Sequence, residues 1–335
     1  MDVEKENFKH HFSAHCETGV ISSLFEERSL SISEPMAFGI GSGLFFVFLP
    51  FVKVMGNPLV SYRSFPGTIF KKVCKRLGVK YKSEKFRSEQ SGVKRLSDLI
   101  GQGEKVGVQA NIYWLNYIPK NFRFHFNAHN LIILGEDDQK YRVSDPLLEE
   151  ITDCPKDVMS KARFSKGPLA PKGLIYYIGD KIDKKPALEV AIRTGIKETV
   201  RRMYYNPVPF VGLKAIGYLS RSIRKWPKKA GDKRAKLYLA SVVRMQEEIG
   251  TGGAGFRYIY SSFLKESADL LKNESLDTAS KMMEDVADEW RLFAQGAVRA
   301  CKSTEPANFD GVADHLMKLL EMEKTVYQFL DKEFL

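Results

Sequence analysis

A cysteine stands where a helix is expected to begin, and that position could create a nucleophile. Cys16 directly precedes a stretch with apolar residues at helical spacing, Glu17–Arg28. A helix N-terminus presents backbone N–H groups and the positive end of the helix dipole, and both stabilise the reactive thiolate form of cysteine. Most free cysteines are small core residues. The position of Cys16 alone therefore leaves a catalytic and a structural interpretation open.

A base and an orienting carboxylate follow on two predicted strands. His129 begins the apolar run H-N-L-I-I-L-G, and Asp145 follows the strand K-Y-R-V-S after a short acidic turn. Strands joined in this way pair side by side, so we expect His129 and Asp145 to lie together at one end of a hairpin. A histidine oriented by a carboxylate is the base of a nucleophile triad. Each residue alone is more often structural, but the ordered set Cys, His, Asp is far more specific.

The elements that must position these three side chains differ between the two halves of the chain. Strand signals punctuated by glycine recur between Gly78 and Gly179, with helical segments before and among them. After Pro186 only helical spacing occurs. We therefore predict an α+β fold, with a mixed domain over residues 1–182 and an all-α domain over residues 187–335.

Composition narrows the class of protein further. The chain has 335 residues and a formal net charge of +11, which suits two globular domains. Its four cysteines form no C-x-x-C pair, so we expect no metal site and no disulfide scaffold. The charged start does not resemble a signal peptide. The uncharged run 35–52 contains prolines and glycines, which favour buried protein interior over a membrane helix, and we expect a cytoplasmic protein.

Several motifs resemble those of the butirosin biosynthesis protein H family. They are H-C-E-T-G at 15–19, F-G-I-G-S-G-L at 38–44, A-H-N-L-I-I-L-G at 128–135 and V-S-D-P at 143–146. The stretch 247–264 is also similar to the helical domain of unknown function that follows in that family. The resemblance covers nearly the whole chain and implies a papain-like first domain, similar as well to the peptidases that trim bacteriocin leader peptides.

The resemblance implies acyl transfer. Cys16 would be the nucleophile, His129 the general base and acid, and Asp145 the residue that orients the histidine. The donor would be a phosphopantetheine thioester on an acidic acyl carrier protein, with no bound cofactor, and the acceptor a small molecule with an amine or hydroxyl. Two alternatives stay open: a papain-like hydrolase of a peptide, amide or thioester, and a non-catalytic protein that docks on a carrier or a membrane.

The oxyanion partner departs from the peptidase pattern. Papain-like peptidases use a side chain a few residues before the cysteine, and here that window holds histidines and no glutamine. We expect His11 to be a second donor beside the backbone N–H of Cys16. His15 adjoins the nucleophile, and neighbouring side chains point apart, so we expect it to brace the loop.

Two glycine-rich turns are candidate substrate-binding segments. Gly41, Ser42 and Gly43 are expected to allow close backbone packing near the active site. Gly252 and Gly253, followed by Arg257, could cradle a phosphate or the pantetheine arm. A tight turn between helices is the more common meaning of such a segment.

One basic segment carries the whole charge imbalance. Residues 193–236 hold thirteen Lys or Arg and two acids. Such a cluster is usually a solvated helix face, and no nucleic-acid motif accompanies it. An anionic membrane surface is a further, less favoured partner, because 211–226 has the pattern of a basic amphipathic helix. An acidic carrier protein suits the enzymatic interpretation best. The residues expected to dock the carrier are Arg201, Arg202, Arg221, Arg224, Lys225, Lys228 and Lys229.

Overall fold

A computed structural model describes residues 8–179, 182, 186–303 and 308–334. The chain divides into two compact units, one formed by Met1–Ala37 with Val73–Pro186 and the other by Phe38–Lys72 with Ala187–Leu335. One boundary between the units falls between Pro186 and Ala187. The segment 38–72, which the sequence assigned to the first domain, packs instead with the carboxy-terminal helices.

Helices and strands alternate in the first part of the described chain, and helices alone make up the last part. In chain order they are α1 (Cys16–Glu26), α2 (Glu34–Ile40), β1 (Leu44–Val54), β2 (Asn57–Arg63), α3 (Thr68–Leu77), β3 (Lys82–Glu84), α4 (Glu89–Gly101), β4 (Val106–Ala110), β5 (His129–Glu136), β6 (Lys140–Ser144), β7 (Thr152–Pro155), α5 (Lys156–Arg163), β8 (Ile175–Tyr177), α6 (Leu188–Met203), α7 (Gly212–Ala230), α8 (Asp232–Glu247), α9 (Arg257–Leu271), α10 (Glu274–Lys302) and α11 (Phe309–Phe334). The predicted α+β fold class is confirmed.

The first unit is built on a six-stranded antiparallel sheet. Its strands lie in the order β3, β8, β4, β5, β6, β7. The central strands β4 and β5 are buried along almost their whole length, which explains why V-G-V-Q-A and N-L-I-I-L lack strict alternation. Helix α1 packs on β5, while Leu96 and Leu99 of α4 join Val108 and Leu131 in the core of the sheet.

The β5–β6 hairpin has the tight connection that the sequence predicts. The Asp137 carboxylate accepts the backbone N–H groups of Gln139 and Lys140, each at 2.7 Å, and closes the turn. Ile132 lies opposite Ser144 in this pair of strands. This register makes His129 and Asp145 diagonal neighbours on the same face of the sheet.

In the part of the chain that the structure describes, the second unit combines the β1–β2 hairpin with the helices α6 to α11. Helix α7 buries the stripe Leu213, Ile216, Leu219 and Ile223, so its apolar face belongs to the core of the unit. The pattern of 211–226 suggested a basic amphipathic helix that lies on a membrane surface. An apolar face that is buried in the core is not available for that arrangement.

The uncharged run 35–52 forms most of α2 and most of β1. Phe46 and Phe48 are completely buried, as expected for protein interior. Phe51, however, is 65% exposed, so the expectation of a buried run is wrong at its end. Among the residues that the structure describes, no helix has both the length and the apolar composition needed to cross a bilayer.

Candidate active site

Cys16 is the first residue of α1, and His15 before it is extended. The thiol therefore stands at the amino-terminal end of the helix, where the helix dipole favours a negative charge. Only 8% of the residue is exposed. A thiolate formed here is shielded from bulk water and faces the positive end of α1.

His129 and Asp145 form a buried pair beside Cys16. The His129 Nε2–H group donates to Asp145 Oδ2 at 2.7 Å, and both side chains are buried. The imidazole also forms a hydrogen bond with the Cys16 side chain. The structure thus brings together the three residues that the sequence proposes as nucleophile, base and orienting carboxylate.

The surroundings of His129 favour its charged form. Burial alone disfavours an imidazolium, but the Asp145 carboxylate and the Cys16 side chain outweigh burial and raise the pKa of His129 to about 10. A histidine with a raised pKa holds its proton at neutral pH. The resting arrangement is therefore suited to a thiolate–imidazolium pair.

The Asp145 carboxylate is held by three donors. Tyr117 donates its hydroxyl to Oδ2 at 2.9 Å, and the Leu147 backbone N–H donates to Oδ1 at 3.0 Å. Burial, with the Asp145 charge nearby, raises the pKa of Tyr117 well above its ordinary range, so this phenol stays a donor. Together with His129, these contacts fix the plane of the carboxylate and hence the orientation of the imidazole.

A glycine in the motif H-C-E-T-G brings α1 close to the aspartate. A Cβ at Gly19 would lie 2.7 Å from Ser13 Cβ and 2.9 Å from Pro146 Cβ. The Ser13 N–H also donates to the Pro146 carbonyl at 2.8 Å. Gly19 therefore permits the close approach that places Cys16 beside the Asp145–Pro146 turn.

Glu34 braces the loop before Cys16. Its carboxylate accepts the backbone N–H groups of Ala14 at 3.1 Å and His15 at 2.6 Å, and the Thr18 hydroxyl at 3.2 Å. Burial raises the pKa of this carboxyl, while the three donors act in the opposite direction. The His15 imidazole bonds the Thr18 hydroxyl at 2.9 Å, so His15 lies in the bracing position expected of it.

The structure does not bring His11 to Cys16, and the expected oxyanion role is wrong in this geometry. The His11 Nε2 atom pairs with Glu26 Oε2 at 2.6 Å. Glu26 is the last residue of α1 and Cys16 the first, so the two ends are about 15 Å apart at the usual helical rise. The carboxylate of Glu26 attracts the imidazole to the far end of the helix.

Asn130 is a donor next to the nucleophile that sequence reasoning missed. Its amide nitrogen lies 3.8 Å from Cys16 Sγ and donates to the Ala128 carbonyl at 3.0 Å. The Tyr176 hydroxyl donates to its Oδ1 atom at 2.9 Å. These two contacts fix the amide so that an N–H group faces the sulfur, where an oxyanion would form on an acylated Cys16.

We expect Asn130→Ala to lower kcat about 10²–10³-fold, as the loss of one oxyanion donor does elsewhere. The rate at which iodoacetamide alkylates Cys16 should change much less, because that reaction forms no oxyanion. Asn127→Ala is the matched control, since Asn127 is also a buried amide and bonds Asn111 and the carbonyls of Lys166 and Pro168. If both variants lose thermal stability but keep kcat, Asn130 is only structural.

The first glycine-rich segment does not form a substrate site; it packs within the second unit. A Cβ at Gly39 would overlap the ring of Phe263, and one at Gly195 would lie 2.5 Å from the Gly39 carbonyl oxygen. Ser42 is fully buried and donates to the Gly195 carbonyl at 3.1 Å. The expected substrate contacts at Gly41, Ser42 and Gly43 are therefore wrong, because these buried residues serve helix packing.

The second glycine-rich segment closes on itself. The Gly253 N–H donates to the Thr251 hydroxyl at 3.0 Å, and the Ala254 N–H donates to the Glu247 carboxylate at 3.1 Å. A carboxylate already occupies the position that an anionic ligand would take. The expected phosphate or pantetheine cradle at Gly252 and Gly253 is therefore wrong, and the tight-turn interpretation holds.

Arg257 is a core residue of the second unit. It is fully buried and its Nη2–H group donates to Glu323 at 2.7 Å, while Nη1–H donates to the Gly255 carbonyl at 2.8 Å. The Trp290 ring lies 4.9 Å from the centre of the guanidinium. The expected role in substrate binding is wrong, because Glu323 neutralises the charge within the core.

The basic segment spans α6, α7 and the start of α8, and its cations differ in their surroundings. Arg202 is half-buried over the Phe45 ring and donates to the Ser42 carbonyl at 3.2 Å. Arg224 pairs with Asp310 and Asp314 of α11. These two of the expected docking residues therefore serve the second unit itself. Five others are exposed: Arg201, Arg221, Lys225, Lys228 and Lys229.

Comparison with known proteins agrees with the motifs. Residues 15–146 match the profile "Butirosin biosynthesis protein H, N-terminal", and residues 157–330 match "Domain of unknown function (DUF4872)". The second of these profiles spans just over half of the chain, so the chain belongs to the DUF4872 family, and its first part is similar to the amino-terminal domain of butirosin biosynthesis protein H. The resemblance stated from the sequence is thus confirmed, and the first match contains Cys16, His129 and Asp145.

Comparisons with curated sequences and with solved structures add little evidence about function. No protein among the curated sequences matches the chain. Among solved structures, a C39-like peptidase from Bacillus anthracis is 14% identical, with a TM-score of 0.36; the alignment covers 52% of this chain and 96% of that one. The family match and the buried Cys–His–Asp array together support a cysteine enzyme.

Proposed function

We propose that this protein is an acyltransferase that moves an acyl or aminoacyl group from a carrier-protein thioester, through Cys16, to an amine or hydroxyl acceptor. The observation that supports it most is the buried contact of Cys16 with His129, which is itself bonded to Asp145. A thioester donor suits a cysteine nucleophile, because one thioester is exchanged for another of similar energy.

In the first step the Cys16 thiolate attacks the carbonyl carbon of the donor. A new C–S bond forms, and the carbonyl oxygen becomes an oxyanion at the amino-terminal end of α1, within reach of the Asn130 amide. The intermediate then expels the thiol of the phosphopantetheine arm. The His129 imidazolium gives this sulfur its proton, which leaves a neutral imidazole beside the acylated Cys16.

In the second step the neutral imidazole acts as a base. It takes a proton from the attacking amine or hydroxyl while the acceptor bonds to the acyl carbon. The intermediate expels the Cys16 thiolate, and the starting thiolate–imidazolium pair is restored. The Asp145 carboxylate keeps the imidazole in one orientation through both proton transfers, because Tyr117 and Leu147 hold it in place.

Burial of the three side chains favours transfer over hydrolysis. Cys16 is 8% exposed and the His129–Asp145 pair lies under 3%. Water that reaches the acyl-enzyme competes with the acceptor, so exclusion of water protects the intermediate. A hydrolase would use the same three residues with water as the acceptor, which makes it the second candidate function.

The exposed cations Arg201, Arg221 and Lys225 support an acidic carrier as the donor. Arg221 and Lys225 lie one turn apart on the face of α7 opposite its buried stripe. A row of positive charge steers an acidic partner and raises its rate of association. The donor thioester would arrive on the flexible phosphopantetheine arm of that partner.

The experiment compares two donors with the same acyl group, one on an acidic carrier protein and one on free pantetheine, drawn from a panel of short acyl and aminoacyl groups. With an added panel of amines and hydroxyl compounds, we expect an amide or ester product that exceeds the free acid. The Arg221→Glu/Lys225→Glu variant should slow transfer from the carrier about tenfold or more, and leave transfer from pantetheine unchanged.

A control variant with the same change in net charge, Lys281→Glu/Lys318→Glu, should transfer from both donors like the wild type, since these exposed lysines lie on α10 and α11. Free acid as the only product, with every acceptor, would identify a hydrolase. Equal loss with both donors would contradict carrier docking on α7.

A further inference from the structure

The tip of the β1–β2 hairpin carries apolar side chains that stay largely exposed, although the Phe210 ring packs edge-on against Phe51 at 5.2 Å. Phe51 is 65% exposed and Met55 75%, and Val52 and Val54 are exposed between them. All residues from 51 to 56 are exposed. The pairing of β1 with β2 shifts register between Leu49 and Lys53, and four of the six exposed residues at this tip are apolar.

The backbone conformation at the tip favours a residue other than methionine at position 55. Met55 has φ +50° and Gly56 φ +81°, the conformation of a two-residue turn in which Asn-Gly is preferred. A methionine in the left-handed region is unfavourable, and strain of this kind is typical of functional positions. Here the strain places a long apolar side chain at the apex of the hairpin.

Helix α8 anchors the tip. The Arg234 Nη2–H group donates to the Gly56 carbonyl at 2.9 Å, and the Lys53 ammonium lies 4.7 Å from the centre of the Tyr238 ring. The turn is therefore attached to the first turn of α8. Its apolar side chains are presented in a defined direction.

Basic residues flank the anchoring Arg234 along the chain. Lys228 and Lys229 lie in the last turn of α7, and Lys233 and Arg234 lie in the first turn of α8. With Lys53, the residues 51–57 and 228–234 hold five cations and one acid. Lys228, Lys229 and Lys233 are exposed, so the segment that supplies the anchoring Arg234 also carries exposed positive charge.

We propose that this tip, formed by residues 51–56 with the lysines of the α7–α8 turn, is a peripheral binding surface for anionic lipid membranes. The apolar side chains would enter the headgroup region while the lysines face lipid phosphates. The combination of exposed apolar side chains with exposed lysines favours a lipid surface, which offers both an apolar layer and anionic phosphates. The basic α7 helix then contributes charge only, because its apolar stripe is buried in the core.

The test measures binding of the full chain to vesicles of phosphatidylcholine, with and without phosphatidylglycerol, by co-sedimentation. The wild type should bind only the anionic vesicles, and more weakly as salt increases. Phe51→Ser/Met55→Asn should lower the partition coefficient about tenfold or more; asparagine suits the turn, so this change does not endanger the hairpin. Neutralising Lys228 and Lys229 with glutamine should cost about fivefold for each charge.

Phe65→Ser is the matched control, since Phe65 is also 65% exposed but lies beyond the other end of the hairpin. It should bind vesicles like the wild type. Wild-type protein that ignores anionic vesicles, or a tip variant that binds as well as the wild type, would overturn the proposal. So would a tip variant with unchanged vesicle binding that loses transfer from a carrier or converts a dimer to a monomer, because the tip would then serve a protein.

Discussion

Cys16→Ala is expected to lose acyl transfer almost completely, by at least about 10⁴-fold in kcat, because removal of a covalent nucleophile leaves only binding and oxyanion stabilisation. The other cysteines offer no substitute. Burial raises the pKa of the Cys74 and Cys154 thiols well above the ordinary range, that of Cys154 to about 12, and raises the pKa of Cys301 as well. The measurement is the steady-state rate of product formation with a loaded carrier.

A serine at the same position is the informative companion. Cys16→Ser replaces the sulfur with a smaller polar atom that can still form hydrogen bonds, but a hydroxyl is ionised far less readily than a thiol at neutral pH. We expect a loss nearly as large as with alanine, with unchanged circular dichroism and thermal midpoint. Full activity in either variant would show that Cys16 is not the nucleophile.

The second large effect is expected at the carboxylate. Asp145→Asn should lower kcat about 10²–10⁴-fold, the range of general acid–base catalysis. If the asparagine oxygen keeps the hydrogen bond to His129, the asparagine NH2 group faces the Leu147 N–H, and two donors meet. If the side chain is flipped, the NH2 group faces the His129 Nε2–H group instead. Either arrangement disturbs the orientation of the imidazole, as in other triads.

The same substitution should change the pH dependence of Cys16 alkylation. In the wild type the pKa of His129 is raised to about 10 because Asp145 and Cys16 outweigh burial, so the charged imidazole persists through neutral pH and is lost as the pH rises through that value. Without the carboxylate charge, the pKa of His129 falls, and the imidazolium is lost at a lower pH. An alkylation profile identical to that of the wild type would show that Asp145 does not set the charge on His129.

The His129 contribution to the free energy of unfolding of the wild type should depend on pH in the same direction, with more stability at low pH than at high pH. A histidine whose pKa in the folded state exceeds its unfolded value near 6.5 contributes stability that is complete below that value. The contribution declines as the pH rises from there through the raised pKa. Asp145→Asn should remove most of this dependence in denaturant titrations at a series of pH values.

Local pattern was enough to predict the elements that carry the base and the carboxylate. The run N-L-I-I-L-G, the turn around Asp137 and the strand Lys140–Ser144 all reappear in the β5–β6 hairpin. Short-range pairing of two strands depends on nearby residues alone, so it can be inferred from the sequence. The same is true of the start of α1 at Cys16, which a change in periodicity marks.

The β1–β2 hairpin could not be predicted from the same signals. Its first strand is apolar from the buried Phe46 to the exposed Phe51, so neither alternation nor composition separates interior from surface. The glycines before it were assigned to the wrong place for a related reason. Gly39 packs against Phe263, more than two hundred residues away, and such a contact leaves no local trace.

The residues around the catalytic triad also differ in whether the local sequence predicts their positions. His15 lies beside Cys16 in the chain, and its bracing position follows from local geometry. Asn130 escaped notice because strand alternation places it on the opposite face from His129. Its amide folds back to the Ala128 carbonyl and meets a helix 114 residues earlier in the chain. His11 was misplaced because nothing in the sequence shows that Glu26 would capture it.

The most direct test of the central claim is the intact mass of wild-type protein mixed with loaded carrier in the absence of an acceptor. We predict a mass increase of one acyl group, assigned by peptide mapping to Cys16, that disappears when a productive amine is added and the amide forms. Cys16→Ala should gain no mass under the same conditions. A wild type that releases product without ever carrying the acyl group, or that carries it on another residue, would contradict the account.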